Sequence, residues 1–278
     1  MLDALGEASG SRLQAIASHD PQRAVALAAR HRIPRVQPDY AEVLADPEVD
    51  AVYLPLPNSL HLPWALRALA AGKHVLCEKP LALNATEAQE MAEAARGAGR
   101  LLMEAVMYRF HPRMAELVAS LATAEVRHVY AAFGFRINAP GNYRLRPDLG
   151  GGALLDVGCY VADVARWLAG EPERVEAVMR RDAVDMSCSA LLSFTDGAQA
   201  SLYASFESPE YEELVVVCAD RCLRVQKPFT AWRDPEDPYR LMVQAFVEAA
   251  RRGGPAPLPV GSSIANLRLL DRIRDAAG

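Results

Sequence analysis

The chain has 278 residues, 51% of them hydrophobic, enough to bury a sizeable core as one large domain or two smaller ones. Its formal charge is −5 with acids and bases interspersed, which excludes the basic footprint that nucleic acid or anionic lipid requires. No apolar run reaches the roughly 18 residues of a membrane helix, and MLDALGEASG has neither the basic start nor the apolar stretch of a signal peptide. A globular, cytoplasmic protein with small-molecule partners is expected. The five cysteines, Cys77, Cys159, Cys188, Cys218 and Cys222, show no CxxC pair and no His-rich spacing, so they read as reduced core residues and no metal site is expected.

In chain order, residues 13 to 17 (LQAIA) read as a buried strand, and Asp20 caps a helix that opens on Pro21 and runs to about His31. A second capped helix spans Asp39 to Leu44, and Asp50 to Leu56 (DAVYLPL) is an apolar run short enough for a buried strand. Ser59 opens a helix ending at Gly72, His74 to Cys77 is a strand, Asn84 with Glu87 makes a capping box, and Leu101 to Ala105 is a further strand. Strands separated by helices pair in parallel.

From about Val126 the pattern changes to longer alternating runs such as VRHVYAAFGFRI, and Asp196-Gly197 within LLSFTDGAQASLYASF signals a hairpin. This places a boundary near residue 110. Residues 1–110 form an α/β, Rossmann-like parallel sheet that lacks its first strand, and residues 111–278 an α+β unit on an open-faced antiparallel sheet. Amphipathic helices at Pro238 to Arg252 and Ser262 to Ala277 cover a face of the molecule, and they are expected to pack back on the first unit. The apolar segments VYAAFGF and SALLSF on the open sheet point to a homodimer or higher homo-oligomer.

Ligands of open α/β sheets bind beyond the carboxyl ends of the strands. Three such segments stand out: Pro55-Leu56-Pro57-Asn58 with His61, Glu78-Lys79-Pro80, and the MYRFHP run that contains Arg109. Lys79, held out of helical geometry by the following proline, can aim its ammonium group at a hydroxyl, although a lysine in a surface turn is the commoner case. Farther on, GGGALLDVGCYVAD runs from glycines into an apolar helix, where helical spacing sets Asp156, Tyr160 and Asp163 on one face. Buried polar groups there need partners or a ligand. A locally bonded Asp156 and a core Tyr160 fit the same spacing.

The pieces CEKPLALN (Cys77 to Asn84) and, about seventy residues later, GGGALLDVGCY resemble the Glu-Lys-Pro and Gly-Gly…Asp-x-Gly-x-His motifs of the Gfo/Idh/MocA oxidoreductases, and the likeness runs from about Leu13 to the end of the chain. The resemblance implies a Rossmann domain joined to an open-faced sheet, with a nicotinamide and a sugar meeting between them. On it, Lys79 matches the lysine that contacts the reacting hydroxyl and Asp156 the aspartate that orients substrate, while Tyr160 stands where many members carry a histidine acid/base. A tyrosine can fill that role if the lysine lowers its pKa.

Cofactor contacts implied by the same positions are Pro55, Leu56, Asn58, His61, Glu78, Lys79 and Pro80. Ser18 and His19 stand in place of the acidic residue that would bind a ribose 2′-hydroxyl. With Arg23 nearby they favour NADP, with NAD as the alternative. Arg109, Asn142, Tyr143 and Arg144 are the candidate substrate contacts. The tyrosine-bearing branch is similar to xylose-type aldose 1-dehydrogenases, which is the first expectation for function. A nucleotide-sugar ketoreductase is the second, and a non-catalytic sugar-binding or assembly subunit the third.

The family's opening strand and Gly-x-Gly-x-x-Gly-like turn, whose N–H groups hold the pyrophosphate, have no counterpart in these residues, since no strand feeds GEASG and its spacing is wrong. The expectation is an N-terminally truncated chain whose reading frame begins upstream, with a natural short form that has lost catalysis as the alternative. The upstream DNA tests it: an open frame encoding a strand and glycine turn supports truncation, and a stop codon immediately before Met1 contradicts it.

Overall fold

In the computed structural model, which describes residues 1–139 and 141–278, a short helix α1 (Leu2–Glu7) precedes the first strand, β1 (Ala15–Ile16). Asp20 then accepts from the N–H groups of Gln22 and Arg23 at the start of α2 (Pro21–His31), as a capping aspartate before proline does. β2 (Arg35–Val36), α3 (Tyr40–Ala45), β3 (Ala51–Leu54), α4 (His61–Ala70), β4 (His74–Glu78), α5 (Ala85–Ala98) and β5 (Leu102–Ala105) complete the alternation. The parallel layer is in two parts. β1 pairs with β2, β3 with β4 and β4 with β5, all parallel, and no ladder joins β1 to β3 among the described residues. A sheet lacking its first strand is expected to divide there, with an unpaired edge on either side.

Two helix starts differ from expectation. Ser59 does not open α4: residues Asn58–Leu60 form a 3-10 turn first, because the Asn58 side chain donates to the Gly150 carbonyl (2.8 Å) instead of capping the helix. At α5, Asn84 accepts from the Glu87 N–H (2.9 Å), but the Glu87 carboxylate accepts from Leu83 N–H (3.0 Å) rather than from Asn84, so the capping box closes one residue early.

After a 3-10 turn at Met107–Phe110 and α6 (Pro112–Ser120), β6 (Val126–Gly134) begins the second sheet. α7 (Cys159–Ala169), β7 (Arg174–Arg181), β8 (Asp185–Ser193), β9 (Gln199–Ser205), β10 (Tyr211–Cys218) and β11 (Cys222–Gln226) follow, in the order β11-β10-β6-β9-β8-β7. The sheet is open and antiparallel except between β6 and β9, which run parallel because the long connection through α7 brings the chain back in the same direction. The β8–β9 hairpin turns at Asp196-Gly197 as the sequence suggests, with Gly197 at φ +88°. Its alternation buries Cys188, Ala190, Leu192, Ala200, Leu202 and Ala204 and leaves Leu191 on the open face, beside Val178 of the neighbouring β7.

The final helices, α8 (Pro238–Arg252) and α9 (Val260–Ala276), tie the layers together. α9 lies against α5 and β5 on one side and α7 and β7 on the other, and α8 packs on α1 and the Met107–Phe110 turn.

The glycine run at 150–152 is a loop, not the start of a helix. Gly152 has φ +124°, and a Cβ on Gly151 would stand 2.4 Å from the Arg144 carbonyl oxygen. That close approach fixes the loop carrying Arg144 against the segment carrying Asp156. Gly151→Ala is therefore expected to lower the unfolding free energy by about 1–3 kcal/mol. Gly97→Ala, in α5 with nothing within 4 Å of the added methyl, is expected to raise it by about 0.5–1 kcal/mol. Urea unfolding of the two variants against wild type checks both signs.

Candidate active site

Lys79 is the first residue beyond β4, and its side chain, 14% exposed, reaches across to the second layer. The ammonium group donates to the Asp156 carboxylate (Oδ1, 2.9 Å) and to the Asp156 backbone carbonyl (2.7 Å). Asp156 lies in a π-helical turn, Leu154–Gly158, that leads into α7. Such widened turns recur where a helix must present groups to a site. The second carboxylate oxygen of Asp156 accepts from Arg144 Nε at 2.7 Å, so one buried carboxylate lies between two cations.

Tyr160, one turn on, places its ring 4.9 Å from the Lys79 nitrogen and packs it among Tyr108, Phe133 and Phe229. The structure thus brings Lys79, Asp156 and Tyr160 together, and Tyr160 is a core aromatic as well as a neighbour of the ammonium.

The electrostatics follow from this geometry. Burial alone would raise the Asp156 carboxyl, but the Lys79 and Arg144 charges hold it below the usual carboxylate range. Burial alone would lower the Lys79 ammonium, and Asp156 holds it well above its ordinary value. Burial pushes the Tyr160 hydroxyl well above 10, and Lys79 offsets only part of the rise while Glu78 and Tyr239 add to it. The lowered tyrosine pKa expected from the lysine is not found, because desolvation of the phenolate outweighs the nearby cation. At neutral pH the site therefore holds a charged lysine, a charged aspartate and a neutral tyrosine that can give up a proton but does not start as a base.

The other sequence candidates divide into groups. The Arg144 guanidinium lies over the Tyr143 ring, 4.7 Å from its centre, and Asn142 accepts from the Arg144 N–H (3.0 Å), fixing the short turn Tyr143–Leu145. Arg109 is not free to meet a substrate: its guanidinium forms two bonds to Asp163, at 2.6 and 2.9 Å, and lies over the Trp167 ring. Asp163 therefore belongs to a separate pair with Arg109 and Tyr108, although it shares a helix face with Asp156 and Tyr160.

His61 is wholly buried, with Nδ1 2.8 Å from the Pro80 carbonyl and Nε2 2.8 Å from the Leu56 carbonyl, so it clamps the ends of β3 and β4 together. Burial lowers its pKa, and the Pro80 and Leu56 carbonyls offset part of that fall. Asn58, donating to the Gly150 carbonyl, ties the end of β3 to the glycine loop that precedes Asp156. Pro55 is exposed and Leu56 half-buried at the β3 end. Glu78 accepts from the Tyr53 hydroxyl and from the Lys79 N–H (3.3 Å), and the Lys79–Pro80 peptide is cis.

Ser18, His19 and Arg23 form their own cluster at the end of β1. Ser18 Oγ accepts from Asp20 N–H, His19 N–H donates to the Tyr40 hydroxyl, and the His19 and Arg23 side chains are exposed. A cation and an imidazole standing in water at a strand end suit a phosphate, and an apolar strand end beside a buried ammonium suits a nicotinamide. The residues present thus fit the two ends of a dinucleotide.

Sequence reasoning missed Tyr53 and Tyr239 beside Glu78, and it missed Glu104. That residue is 4% exposed in the middle of the otherwise apolar β5, and it accepts from the Leu81 N–H at 2.8 Å. A carboxylate inside LLMEA was the available signal.

Residues 2–106 match the model of the Gfo/Idh/MocA oxidoreductase family, NAD-binding Rossmann fold, and residues 111–224 match that of the Gfo/Idh/MocA C-terminal domain. The chain is 39% identical over 297 residues to D-xylose 1-dehydrogenase (NADP(+)) 2 of Haloferax volcanii, covering 98% of this chain and 91% of the relative. It is 33% identical over 312 residues to dTDP-3,4-didehydro-2,6-dideoxy-alpha-D-glucose 3-reductase of Streptomyces violaceoruber, covering 100% and 91%. Its fold superposes on a 3-ketoreductase from Actinomadura kijaniata in complex with NADP and TDP-benzene with a TM-score of 0.86 at 30% identity, over 99% of this chain and 92% of that one.

The Arg109–Asp163 pair generates a stability prediction. Asp163→Ala leaves a guanidinium stranded among Tyr108 and Trp167, and is expected to destabilise the fold by about 3–5 kcal/mol. Asp163→Asn, which keeps one acceptor, costs less. Thermal and denaturant unfolding of the two variants give the order.

Proposed function

Because the chain belongs to the Gfo/Idh/MocA oxidoreductase family, enzymes that use NAD(P) on sugar or polyol substrates, we propose that its reaction is reduction of a keto group on a nucleotide-linked sugar. The observation that carries the reading is the Lys79 ammonium, held charged by Asp156 and standing 4.9 Å from the ring of Tyr160, whose buried hydroxyl is protonated at neutral pH. Reduction of a ketone needs a proton donor at the carbonyl oxygen, and this pair is charged for that task at rest. Resemblance to a dTDP-sugar 3-reductase and to a 3-ketoreductase bound to TDP-benzene supports the nucleotide-linked substrate.

When bound, a dinucleotide would supply or accept a hydride at its nicotinamide ring. The residues fitted to hold it are Ser18, His19 and Arg23 at the β1 end, with Pro55, Leu56, Glu78, Lys79 and Pro80 at the ends of β3 and β4, while His61 and Asn58 fix those ends from behind. Tyr160 Oη gives its proton to the substrate oxygen as negative charge develops there. Lys79 Nζ stabilises that oxygen and then the phenolate. Asp156 orients Lys79 and keeps it charged, and Arg144 holds Asp156 from the far side. Tyr143 and Arg144 line the cleft where the sugar ring would sit, whereas Arg109 acts only by supporting α7 through Asp163. The apolar side chains Val178 and Leu191 on the open sheet favour pairing of two copies through that face.

Similarity to the Haloferax enzyme along 98% of this chain favours a second reading, the oxidation of an aldose at C1 with NADP+. It uses the same residues in reverse. The convergence of Lys79, Asp156 and Tyr160 in an oxidoreductase family counts against a sugar-binding subunit without catalysis.

Two measurements test these readings. With purified protein, NADPH consumption is expected with a dTDP-linked keto-sugar. Faster NADP+ reduction by xylose than NADPH oxidation by the keto-sugar would reverse the order of the two readings. Lys79→Ala is expected to lower turnover by about 10²–10⁴-fold while NADPH affinity, read by fluorescence, changes little. Unchanged turnover in that variant would remove the role given to Lys79.

A further inference from the structure

Lys79 borders a small cavity of about 10 Å³ that is also lined by Glu104, Val106, Cys159, Tyr160, Asp163 and Asn266. It is room for a single water. Asn266, on α9 and 95% buried by its 5% exposure, donates through Nδ2 to the Cys159 carbonyl (2.9 Å), which fixes the amide and leaves Oδ1 buried with no partner. The Ser263 hydroxyl, one turn earlier, faces the Glu104 carboxyl without completing a hydrogen bond. Glu104 itself is anchored through one oxygen by the Leu81 N–H, two residues beyond Lys79. The exposed lining is mostly apolar, Val106 included, and the polar groups that border it, the unpaired Asn266 acceptor, the Glu104 carboxyl and the Lys79 ammonium, are the partners a single water there would take.

We propose that Glu104 is a positioning residue for the reaction, acting through a water in this cavity to return a proton to Lys79 after each transfer. The inference rests on the roles given above to Lys79 and Tyr160. During reduction the Tyr160 O–H bond breaks and its proton goes to the substrate oxygen. A Lys79 N–H proton then restores the tyrosine, the water passes a proton to Lys79, and the Glu104 carboxylic acid passes one to the water. The net change is one proton moved from Glu104 to the product hydroxyl, with no change in electron count beyond the hydride. When product leaves, the carboxylate takes up a proton from bulk water through the open cleft by the same chain in reverse.

The surroundings fit that task. Burial pushes the Glu104 carboxyl up to about 7, the Ser263 hydroxyl offsets part of the rise, Asp163 adds to it, and Leu81 N–H and Arg109 offset a little more. Of the groups that face it, Lys79 and Tyr160 are held well above neutrality, Cys77 and Cys159 are pushed up by burial, and Asp163 is paired with Arg109. The α9 neighbours, Ser263 and Asn266, do not titrate. Glu104 is thus the group in this cluster that gains and loses a proton near pH 7. It is raised above the ordinary glutamate range, so it holds the proton below pH 7 and releases it above.

The test is the pH profile of kcat and KM for steady-state reduction, with Glu104→Gln, which keeps the acceptor for Leu81 but cannot exchange a proton. Wild type is expected to be fast below pH 7 and to slow as pH rises through it. The variant is expected to be about 10-fold slower at pH 6 and to lose that limb, with KM unchanged. Should Glu104→Gln fail to fold, Asn266→Ala removes one partner of the water and is expected to show the same slow rate at pH 6 with KM unchanged.

A readout without turnover is the infrared carbonyl band of the protonated carboxyl. It is expected to titrate near pH 7, to vanish in Glu104→Gln, and to shift its midpoint in Lys79→Met. A wild-type rate profile in Glu104→Gln, or a midpoint indifferent to Lys79→Met, overturns the proposal. If Lys79→Ala is fully active the functional reading itself falls. If Lys79→Ala is inactive and Glu104→Gln behaves as wild type, only the present inference falls.

Discussion

The charge of Lys79 is the constraint on which the site depends. An ammonium group removed from water is costly unless a carboxylate and hydrogen bonds replace the lost solvent, and here Asp156 supplies two acceptors, its side chain and its own carbonyl. Satisfying both at once requires the end of β4 and the π turn before α7 to stand within a side chain's length of each other. His61, bonded to the β3 and β4 ends, and Asn58, bonded to Gly150, hold that spacing from the Rossmann side. The tight contact of Gly151 with the Arg144 carbonyl holds it from the other. The residues around the reacting atoms are thus fixed by a second set that never meets the substrate.

Holding the lysine charged also sets the chemistry of its neighbour. Tyr160 is packed in an aromatic cluster that excludes water, and this dominates over the cation beside it, so the hydroxyl stays neutral. A neutral phenol beside an ammonium is an acid poised at a developing oxyanion, and its conjugate phenolate would be stabilised by the same lysine once formed.

Much of the fold was legible from local signals. Asp20 before Pro21, the alternation through β8 and β9 and the Asp196-Gly197 turn all act within a few residues, and they appear where the sequence places them. Long-range competition explains the rest. Asn58 abandons the start of α4 because Gly150, far along the chain, offers its side chain a buried acceptor, and Arg109 is drawn to Asp163 rather than to the cleft. The parallel β6–β9 pairing depends on the path of the whole connection, which no window of sequence shows. Lys79, Asp156 and Tyr160 were singled out by motif and lie together in the structure, whereas the nearness of Glu104 and Asn266 to the lysine depends on how β5 and α9 pack, which no motif carries.

The most direct measurement of the central claim is the fate of a labelled hydride. NADPH deuterated at the transferring position of the nicotinamide is incubated with the protein and a dTDP-linked keto-sugar, and the product is read by proton NMR. Chemistry at the Lys79–Tyr160 pair predicts deuterium on the single carbon that bore the keto group, in one configuration. A product with hydrogen from solvent at that carbon, or deuterium in both configurations, would contradict direct hydride transfer in a site of this geometry.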